Sequence, residues 1–254
     1  MSPPSLVVRS FGGSDVGRRR QANEDAYLCD DELGLWVVAD GMGGHAAGEV
    51  ASQEAVDTIY GMVKRARRNP EAQREPDVAL RANVRLLEGS VQAATYMIYA
   101  MSELDARKSG MGTTISAMML SAGFMITAQV GDSRIYQVRG DTARQLTEDH
   151  TLINWQLKQG IITEEEARTS RHKNVITRAV GNRDYVQVDT SMVEFAEGDT
   201  YLLCSDGLHG YLKIEEIPSL INLGGSDSVH RLIDLANNRG GKDNITAVIV
   251  QVTL

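Results

Sequence analysis

One stretch, Leu35-Trp36-Val37-Val38-Ala39, is the most informative about the fold, and it runs directly into Asp40-Gly41-Met42-Gly43-Gly44. Five consecutive apolar residues are typical of a buried strand, and the Asp-Gly pair that follows is typical of a tight turn. Aspartate also caps turns through its own side chain, so this stretch alone indicates only a strand that ends in a turn.

The same arrangement occurs at three further places: Gly131-Asp132-Ser133-Arg134, Ser205-Asp206-Gly207 and, with the strand after the aspartate, Gly240-Gly241-Lys242-Asp243-Asn244. Aspartates at the ends of neighbouring strands can converge on one edge of a sheet, where like charges cannot all stay ionised without cations between them. Oxygen ligands without accompanying His or Cys clusters favour Mg²⁺ or Mn²⁺ over zinc. We therefore expect a site for a pair of these ions.

Strand-like runs outnumber helical patterns along the chain. The predicted strands are residues 6–11, 26–29, 35–39, 114–120, 125–130, 135–138, 186–193, 200–204 and 245–252. Amphipathic spacing predicts helices at about 46–67, 78–106 and 228–238, with an exposed linker at 67–77. Connections as short as Ser121-Ala122-Gly123 imply antiparallel pairing. The pattern predicts an α+β domain with largely antiparallel sheet and helices packed outside.

Composition narrows the possible classes of protein. The chain has 254 residues, 42% of them apolar, which favours one domain over residues 1–254. Its net charge is −8 without a long basic block, so nucleic acid is not expected as a partner. Two cysteines, Cys29 and Cys204, lie in apolar runs and fit a reducing compartment. With no signal peptide and no membrane-length apolar run, we expect a cytoplasmic protein that does not bind membranes.

Six motifs occur in a characteristic order: Arg20-x-x-Asn23-Glu24-Asp25, Asp40-Gly41-Met42-Gly43-Gly44-His45, Gly112-Thr113-Thr114, Val130-Gly131-Asp132-Ser133-Arg134, Ser205-Asp206-Gly207-Leu208 and Asp243-Asn244-Ile245-Thr246. Together they cover nearly the whole chain and resemble the bacterial branch of the type 2C metal-dependent protein serine/threonine phosphatases. The resemblance implies a four-layer α/β/β/α sandwich with two central, mainly antiparallel sheets.

The resemblance also implies metal-ligand roles at the ends of the strands. Asp40 would bridge two divalent cations, Mn²⁺ or Mg²⁺, as a catalytic residue, and the carbonyl of Gly41 would hold one of them. Asp206 and Asp243 would ligate the second cation. Asp132 resembles the ligand of a third, weaker metal. A water bridging the two cations would then attack the phosphorus of a phosphoserine or phosphothreonine monoester in line.

Other residues would support the reaction. Arg20 would hold the substrate phosphate and thereby act in catalysis, because a guanidinium fork matches phosphate oxygens. The resemblance places Glu24, Asp25 and Asn244 behind the metal ligands, where Glu24 and Asp25 order metal-bound waters. The role of His45 stays open among an acid, a helix-start residue and a substrate contact. The other histidines lack ligand-like spacing, and His209 is interpreted as a packing residue.

Residues 147–181 differ from the rest of the chain. They are polar, contain two short helical pieces and carry a basic cluster of Arg168, Arg171, His172, Lys173 and Arg178. In the family, this region forms a flap beside the metals. Its cations either help to hold a phosphopeptide or form a solvated surface. The expected partners are phosphoproteins, either targets of serine/threonine kinases or the kinases themselves, and the expected state is a monomer.

Two other functions are compatible with parts of the sequence. Gly41-Met42-Gly43-Gly44-His45-Ala46 matches a dinucleotide-binding fingerprint, but Asp40 would set a carboxylate beside a pyrophosphate. That reading also requires a parallel strand after the first long helix, where the sequence is polar. A catalytically inactive phosphatase fold that serves as a binding or sensing module is the second alternative. Such a module usually loses metal aspartates, and none of the expected ones is missing here.

Overall fold

The computed structural model describes residues 7–43, 47–68, 75–172 and 174–253. Its strands are β1 Val7–Asp15, β2 Asp25–Asp30, β3 Leu35–Met42, β4 Gly112–Thr113, β5 Ile115–Ser121, β6 Phe124–Val130, β7 Arg134–Arg139, β8 Thr142–Gln145, β9 Asp189–Glu194, β10 Thr200–Cys204 and β11 Ile245–Thr253. Its helices are α1 Ala47–Arg67, α2 Pro76–Leu104, α3 Leu152–Lys158, α4 Glu164–Thr169, α5 Asp206–His209, α6 Ile217–Ile221 and α7 Gly225–Asn238.

Two sheets form the two central layers. One sheet has the strand order β1-β11-β10-β7-β8, and the other has the order β2-β3-β5-β6-β9, with β4 paired to β3. Every pairing between these strands is antiparallel. Helices α1 and α2 pack on the second sheet, and α7 packs on the first. The four-layer sandwich predicted from the sequence is confirmed. The dinucleotide-binding alternative is excluded, because among the described strands β3 pairs antiparallel with β2, β4 and β5, not with a parallel neighbour.

Strand β3 shows how the alternation of side chains builds three core layers. Trp36 and Val38 point between the sheets, where they pack with residues such as Tyr201 of β10. Their neighbours, including Val37, point to the other face and pack under α1 and α2, for example against Ile59. Successive residues of a strand face opposite sides, so a strand buried on both faces reads as a continuous apolar run.

Some predicted boundaries were wrong for identifiable reasons. The strand predicted at 186–193 begins at Asp189, because pairing with β6 starts there, while Val186 and Val188 fill the core as loop residues. Helix α2 begins earlier than predicted, at Pro76, since proline suits the first turn of a helix. Residues 69–74 of the predicted linker lie outside the described residues. The prediction also missed the hairpin strand β8 and the short helices α5 and α6.

Candidate active site

The end of β3 places Asp40 at the edge where the two sheets meet. Asp40 lies opposite Asp25 in the β2–β3 ladder. Its backbone N–H donates to Thr114 Oγ1 at 3.0 Å, and its carbonyl accepts from Thr113 Oγ1 at 2.9 Å. The Thr114 backbone N–H donates to the same carbonyl at 2.9 Å. Both the N–H and the carbonyl of Asp40 are therefore fixed by hydrogen bonds, independently of its carboxylate.

Gly41 must be glycine because two backbone segments press against it. A Cβ at this position would overlap the carbonyl oxygens of Gly48, in the first turn of α1, and of Glu24. The Gly41 N–H donates to the Glu24 carbonyl at 3.1 Å. The same close packing fixes the direction of the turn that follows Asp40.

Asp206 and Asp243 come from the other sheet, on two turns that lie against each other. Asp206 begins α5 two residues after β10 ends, and Asp243 stands two residues before β11 begins. Strands β10 and β11 are paired, so these turns are neighbours. A Cβ on Gly207 would overlap the Asn244 carbonyl oxygen. Small residues in both motifs thus allow the two aspartates to approach.

Asp25 links the two sheets through hydroxyl groups. Ser205 Oγ and Thr246 Oγ1 donate to Asp25 Oδ2 at 2.8 and 2.6 Å. The other carboxylate oxygen, Oδ1, is buried and has no hydrogen-bond partner among the described residues. The sequence motifs contain Ser205, Thr246 and Thr114 but predicted no role for them. Their hydroxyl groups next to the aspartates were the available signal.

The carboxylates also influence one another's ionisation. Removal from water raises the pKa of Asp40 well above its usual value, and the charges of Asp25, Asp206, Asp132 and Asp243 raise it further. Removal from water, followed by the charge of Asp206, raises the pKa of Asp132 to about 7. Residues from β2, β3, the β6–β7 turn, α5 and the turn before β11 are therefore within electrostatic reach of one another.

The donor set fits hard divalent cations. Among the described residues, no three His, Cys, Asp or Glu side chains are already arranged as a metal-binding group. Asp25 instead accepts a hydrogen bond from Thr246, and Asp243 accepts one from Arg20. The available donors are nevertheless all oxygens, which Mg²⁺ and Mn²⁺ prefer. The unpartnered Oδ1 of Asp25 and the raised pKa of Asp40 both mark a place where positive charge would be stabilising.

Arg20 lies beside this cluster. Its Nη2 donates to Asp243 Oδ2 at 2.8 Å, and its Nη1 stands 4.0 Å from Glu24 Oε2. The Arg20 side chain remains 47% exposed, so its guanidinium faces both the carboxylates and solvent. A phosphate arriving from solvent could thus contact Arg20 next to Asp243.

Asn244 fixes the loop that carries Arg20. Its Nδ2 donates to the carbonyls of Val16 and Ala22 at 3.0 and 2.9 Å, and its Oδ1 accepts from the Glu24 N–H at 2.8 Å. All side-chain donors and acceptors of this buried amide are directed at one loop. Asn244 therefore acts on the position of that loop.

Asp132 belongs to the β6–β7 turn and is 6% exposed. Its carbonyl accepts from His209 Nε2 at 2.9 Å, which agrees with a structural role for His209. His150, for which the sequence indicated no role, contacts the same turn. The Gly131 N–H donates to His150 Nδ1 at 3.1 Å, and the His150 N–H donates to the Gly131 carbonyl at 2.9 Å.

His150 also joins the two ends of residues 147–181. Its carbonyl accepts from the Thr177 N–H at 2.8 Å, and its Nε2 lies 3.0 Å from Asp189 Oδ2. Arg178 Nη1 donates to Asp189 Oδ1 at 2.8 Å. The sequence could not reveal this node, because its members are far apart and follow no ligand-like spacing.

A cleft of about 660 Å³ opens beside the carboxylates. Asp132, Asp206 and Asp243 line one end, and α3 and α4 form a wall with Leu157 and Arg168. The two short helices predicted in residues 147–181 are confirmed. The candidate residues His45 and Lys173 lie outside the described residues.

Comparisons with known proteins agree with this fold. The family model described as protein phosphatase 2C matches residues 13–246. The serine/threonine phosphatase stp of Listeria welshimeri is 38% identical over 246 residues, which cover 95% of this chain and 94% of that protein. The chain belongs to the protein phosphatase 2C family, and the resemblance and enzyme class predicted from the sequence are confirmed.

Two solved structures show the same architecture. The Mycobacterium tuberculosis serine/threonine phosphatase PstP/Ppp superposes with a TM-score of 0.86 at 34% identity, covering 98% of this chain and 100% of that one. The catalytic domain of PstP in complex with two manganese ions gives a TM-score of 0.84 at 35% identity, with the same coverage. Among the described helices of this chain, none is long and apolar enough to cross a membrane.

Proposed function

We propose that this chain hydrolyses phosphate monoesters on the serine and threonine residues of phosphoproteins. The observation that carries the proposal is that Asp40 lies within electrostatic reach of Asp25, Asp132, Asp206 and Asp243 at one edge of the two sheets. Such a concentration of carboxylates suits divalent cations, and an open cleft beside it suits a polypeptide substrate.

In this proposal, Asp40 and the carbonyl of Gly41 would hold one Mn²⁺ or Mg²⁺, and Asp206 and Asp243, with Asp40, would hold a second. Asp132, which faces Asp206, serves a third. When bound, the cations lower the pKa of a water and offset the charge of the phosphoryl group. Supporting this arrangement, each proposed carboxylate lies on a turn whose backbone is fixed by sheet pairing or by close glycine packing.

The remaining roles fall to groups of the protein itself. Arg20 exchanges part of its contact with Asp243 for the phosphate oxygens and orients the phosphoryl group. Asn244 keeps the loop of Arg20 in place, and Glu24 and Asp25 accept hydrogen bonds from water near the ligands.

Residues 1–254 act as one catalytic domain, and residues 147–181 act as a flap over the cleft. The substrates are targets of serine/threonine kinases or the kinases themselves, and the working unit is a monomer. The compartment we favour is the cytoplasm, since both thiols, Cys29 and Cys204, are free.

The test is hydrolysis of p-nitrophenyl phosphate and of a phosphothreonine peptide by the purified chain. We expect turnover with Mn²⁺ that EDTA abolishes and that added Mn²⁺ restores. If the folded chain stays inert with both substrates across Mn²⁺ and Mg²⁺ concentrations, the proposal is wrong and an inactive binding module is the better description.

A further inference from the structure

The rim of the cleft next to Asp243 carries positive charge that the reaction described above does not use. Lys242 lines the cleft and is exposed. The other cations in the lining are already paired, since Arg134 donates to Asp149 at 2.6 Å and Arg168 to Glu164 at 3.4 Å. Within the described part of the chain, the Lys242 ammonium has no ion-pair or hydrogen-bond partner.

Arg18 supplies a second cation next to this rim, packed against Gly241. Its backbone N–H donates to the Gly241 carbonyl at 2.7 Å, and its Cγ lies 2.8 Å from the position that a Cβ on Gly241 would take. The Arg18 side chain thus passes over the residue next to Lys242. Its guanidinium likewise has no partner among the residues that the structure describes.

The backbone beneath these two cations is firmly held. The Gly241 N–H donates to the Ala236 carbonyl at 3.0 Å, and the Lys242 N–H donates to Tyr211 Oη at 3.3 Å. Tyr211 is itself held through its carbonyl, which accepts from Arg239 Nη1 at 2.6 Å. Lys242 therefore projects from a fixed loop that lines the cleft.

The charges divide the cleft into two parts. The inner end has the carboxylates Asp132, Asp206 and Asp243. At the rim, among the described residues, the charge without a partner is the positive charge of Lys242. The chain as a whole has a net charge of −8, which repels anions. Unpaired cations at this rim make the local electrostatic potential more favourable for an anion. Arg20 already serves the phosphate to be removed, so Lys242 and Arg18 remain for another anion.

We propose that Lys242, with Arg18 beside it, forms a second anion-binding subsite that favours phosphoproteins bearing another negative group close to the target phosphate. The inference rests on the proposed phosphatase function and specifies its substrate class. The second group is a carboxylate or a second phosphate, and both present oxygen acceptors to an ammonium or a guanidinium. A phosphate carries the larger charge and should bind better.

The test compares phosphothreonine peptides that differ only at one flanking position, on either side of the phosphate. That position is glutamine, glutamate, phosphoserine or lysine. We expect kcat/KM to rise about two- to fivefold from glutamine to glutamate, as for an exposed ion pair, and more for phosphoserine. The preference should shrink as ionic strength increases, because solvent-exposed pairs are screened.

The Lys242→Met and Arg18→Met variants should each reduce this preference, and Lys242→Glu should reverse it in favour of the lysine peptide. Arg81→Met is a matched control, because Arg81 is an exposed cation in α2 that does not line the cleft. The same part of α2 contacts the β5–β6 hairpin through Asn83 and Ser121. This control variant should keep the preference of the unsubstituted chain. Turnover of p-nitrophenyl phosphate, which has no second anion, serves as the reference for each variant.

The outcomes separate the two proposals. If p-nitrophenyl phosphate and every peptide remain uncleaved with Mn²⁺, the phosphatase function fails and the subsite fails with it. If all substrates are cleaved but the glutamine, glutamate and phosphoserine peptides have equal kcat/KM, the subsite alone is refuted. An acidic preference that survives Lys242→Glu unchanged also refutes it. If kcat/KM rises for the phosphoserine peptide but not for the glutamate peptide, the second group is a phosphate. If it rises for both peptides, the subsite accepts either negative group.

Discussion

The two walls of the cleft are held in place by different kinds of interaction. Asp40, near the end of β3, and Asp206, just after β10, each follow a run of buried strand residues. Their backbones are fixed by strand pairing, hydroxyl groups and close glycine contacts. In contrast, α3 and α4 each bury a single side chain, Ile153 and Ala167. Exposed ion pairs such as that between Arg168 and Glu164 contribute little to stability.

This difference indicates a division of labour. Groups that must hold cations need fixed positions, because a displacement of about 1 Å in a reacting group is costly. A segment with few buried contacts opens locally at a low free-energy cost, which suits a wall that must admit polypeptides. His150 is where the two kinds of structure meet, since it contacts both the Asp132 turn and the Thr177 end of the segment.

The largest expected effect is a change in the carboxylates themselves. Asp206→Asn or Asp40→Asn should lower Mn²⁺-dependent turnover by on the order of a thousandfold, because a charge at the reaction centre is removed. The measurement is p-nitrophenyl phosphate hydrolysis together with circular dichroism, which should show an intact fold. Asp141→Asn, in the exposed β7–β8 turn, is the matched control. Near-normal activity in either site variant would refute the ligand role assigned to that aspartate.

A close contact in the same wall should be almost as sensitive. Gly207→Ala forces a methyl group onto the Asn244 carbonyl and should cost about 3 kcal/mol of unfolding free energy, with loss of activity. Urea denaturation measures this cost. Gly89→Ala is the control, because Gly89 lies in α2 with nothing within 4 Å of the added carbon, and it should slightly stabilise the protein. Equal midpoints for the two variants would contradict the proposed rigidity.

The junction at His150 should give an intermediate effect. His150→Ala removes the acceptor for the Gly131 N–H and the contact with Asp189, so kcat/KM should fall about tenfold. Hydrogen exchange should increase in residues 147–181. His150→Asn retains an acceptor near Nδ1 and should recover part of the activity. If Asn and Ala behave alike, the contact with Gly131 does not position the turn.

The smallest effect is expected in the weakly held wall. Thr163→Ala removes the capping box of α4, in which Thr163 Oγ1 accepts from the Glu166 N–H at 3.3 Å. The local cost is about 1 kcal/mol. Hydrogen exchange in α4 should rise, while the urea midpoint and p-nitrophenyl phosphate turnover stay close to those of the unsubstituted chain. A large fall in the midpoint would mean that α4 unfolds together with the sheets.

The sequence alone determined the layers of this protein and the identity of the candidate aspartates. Continuous apolar runs mark buried strands, and very short connections between them imply antiparallel pairing. Repeated strand-then-aspartate motifs mark chemistry because burying like charges is costly. These signals are local, since each depends on residues adjacent in the chain. The boundaries that failed, such as the start of β9 at Asp189, depend on which partner strand is available.

Only the tertiary structure decided how the candidates meet. It placed Asp25 opposite Asp40, turned Ser205 and Thr246 to Asp25, and set Arg18 over Gly241. It also made His150 a junction between segments that the sequence treats separately. The physical reason is that a hydrogen bond or a charge interaction depends on distance in space, and residues more than two hundred positions apart become neighbours only when the sheets pair.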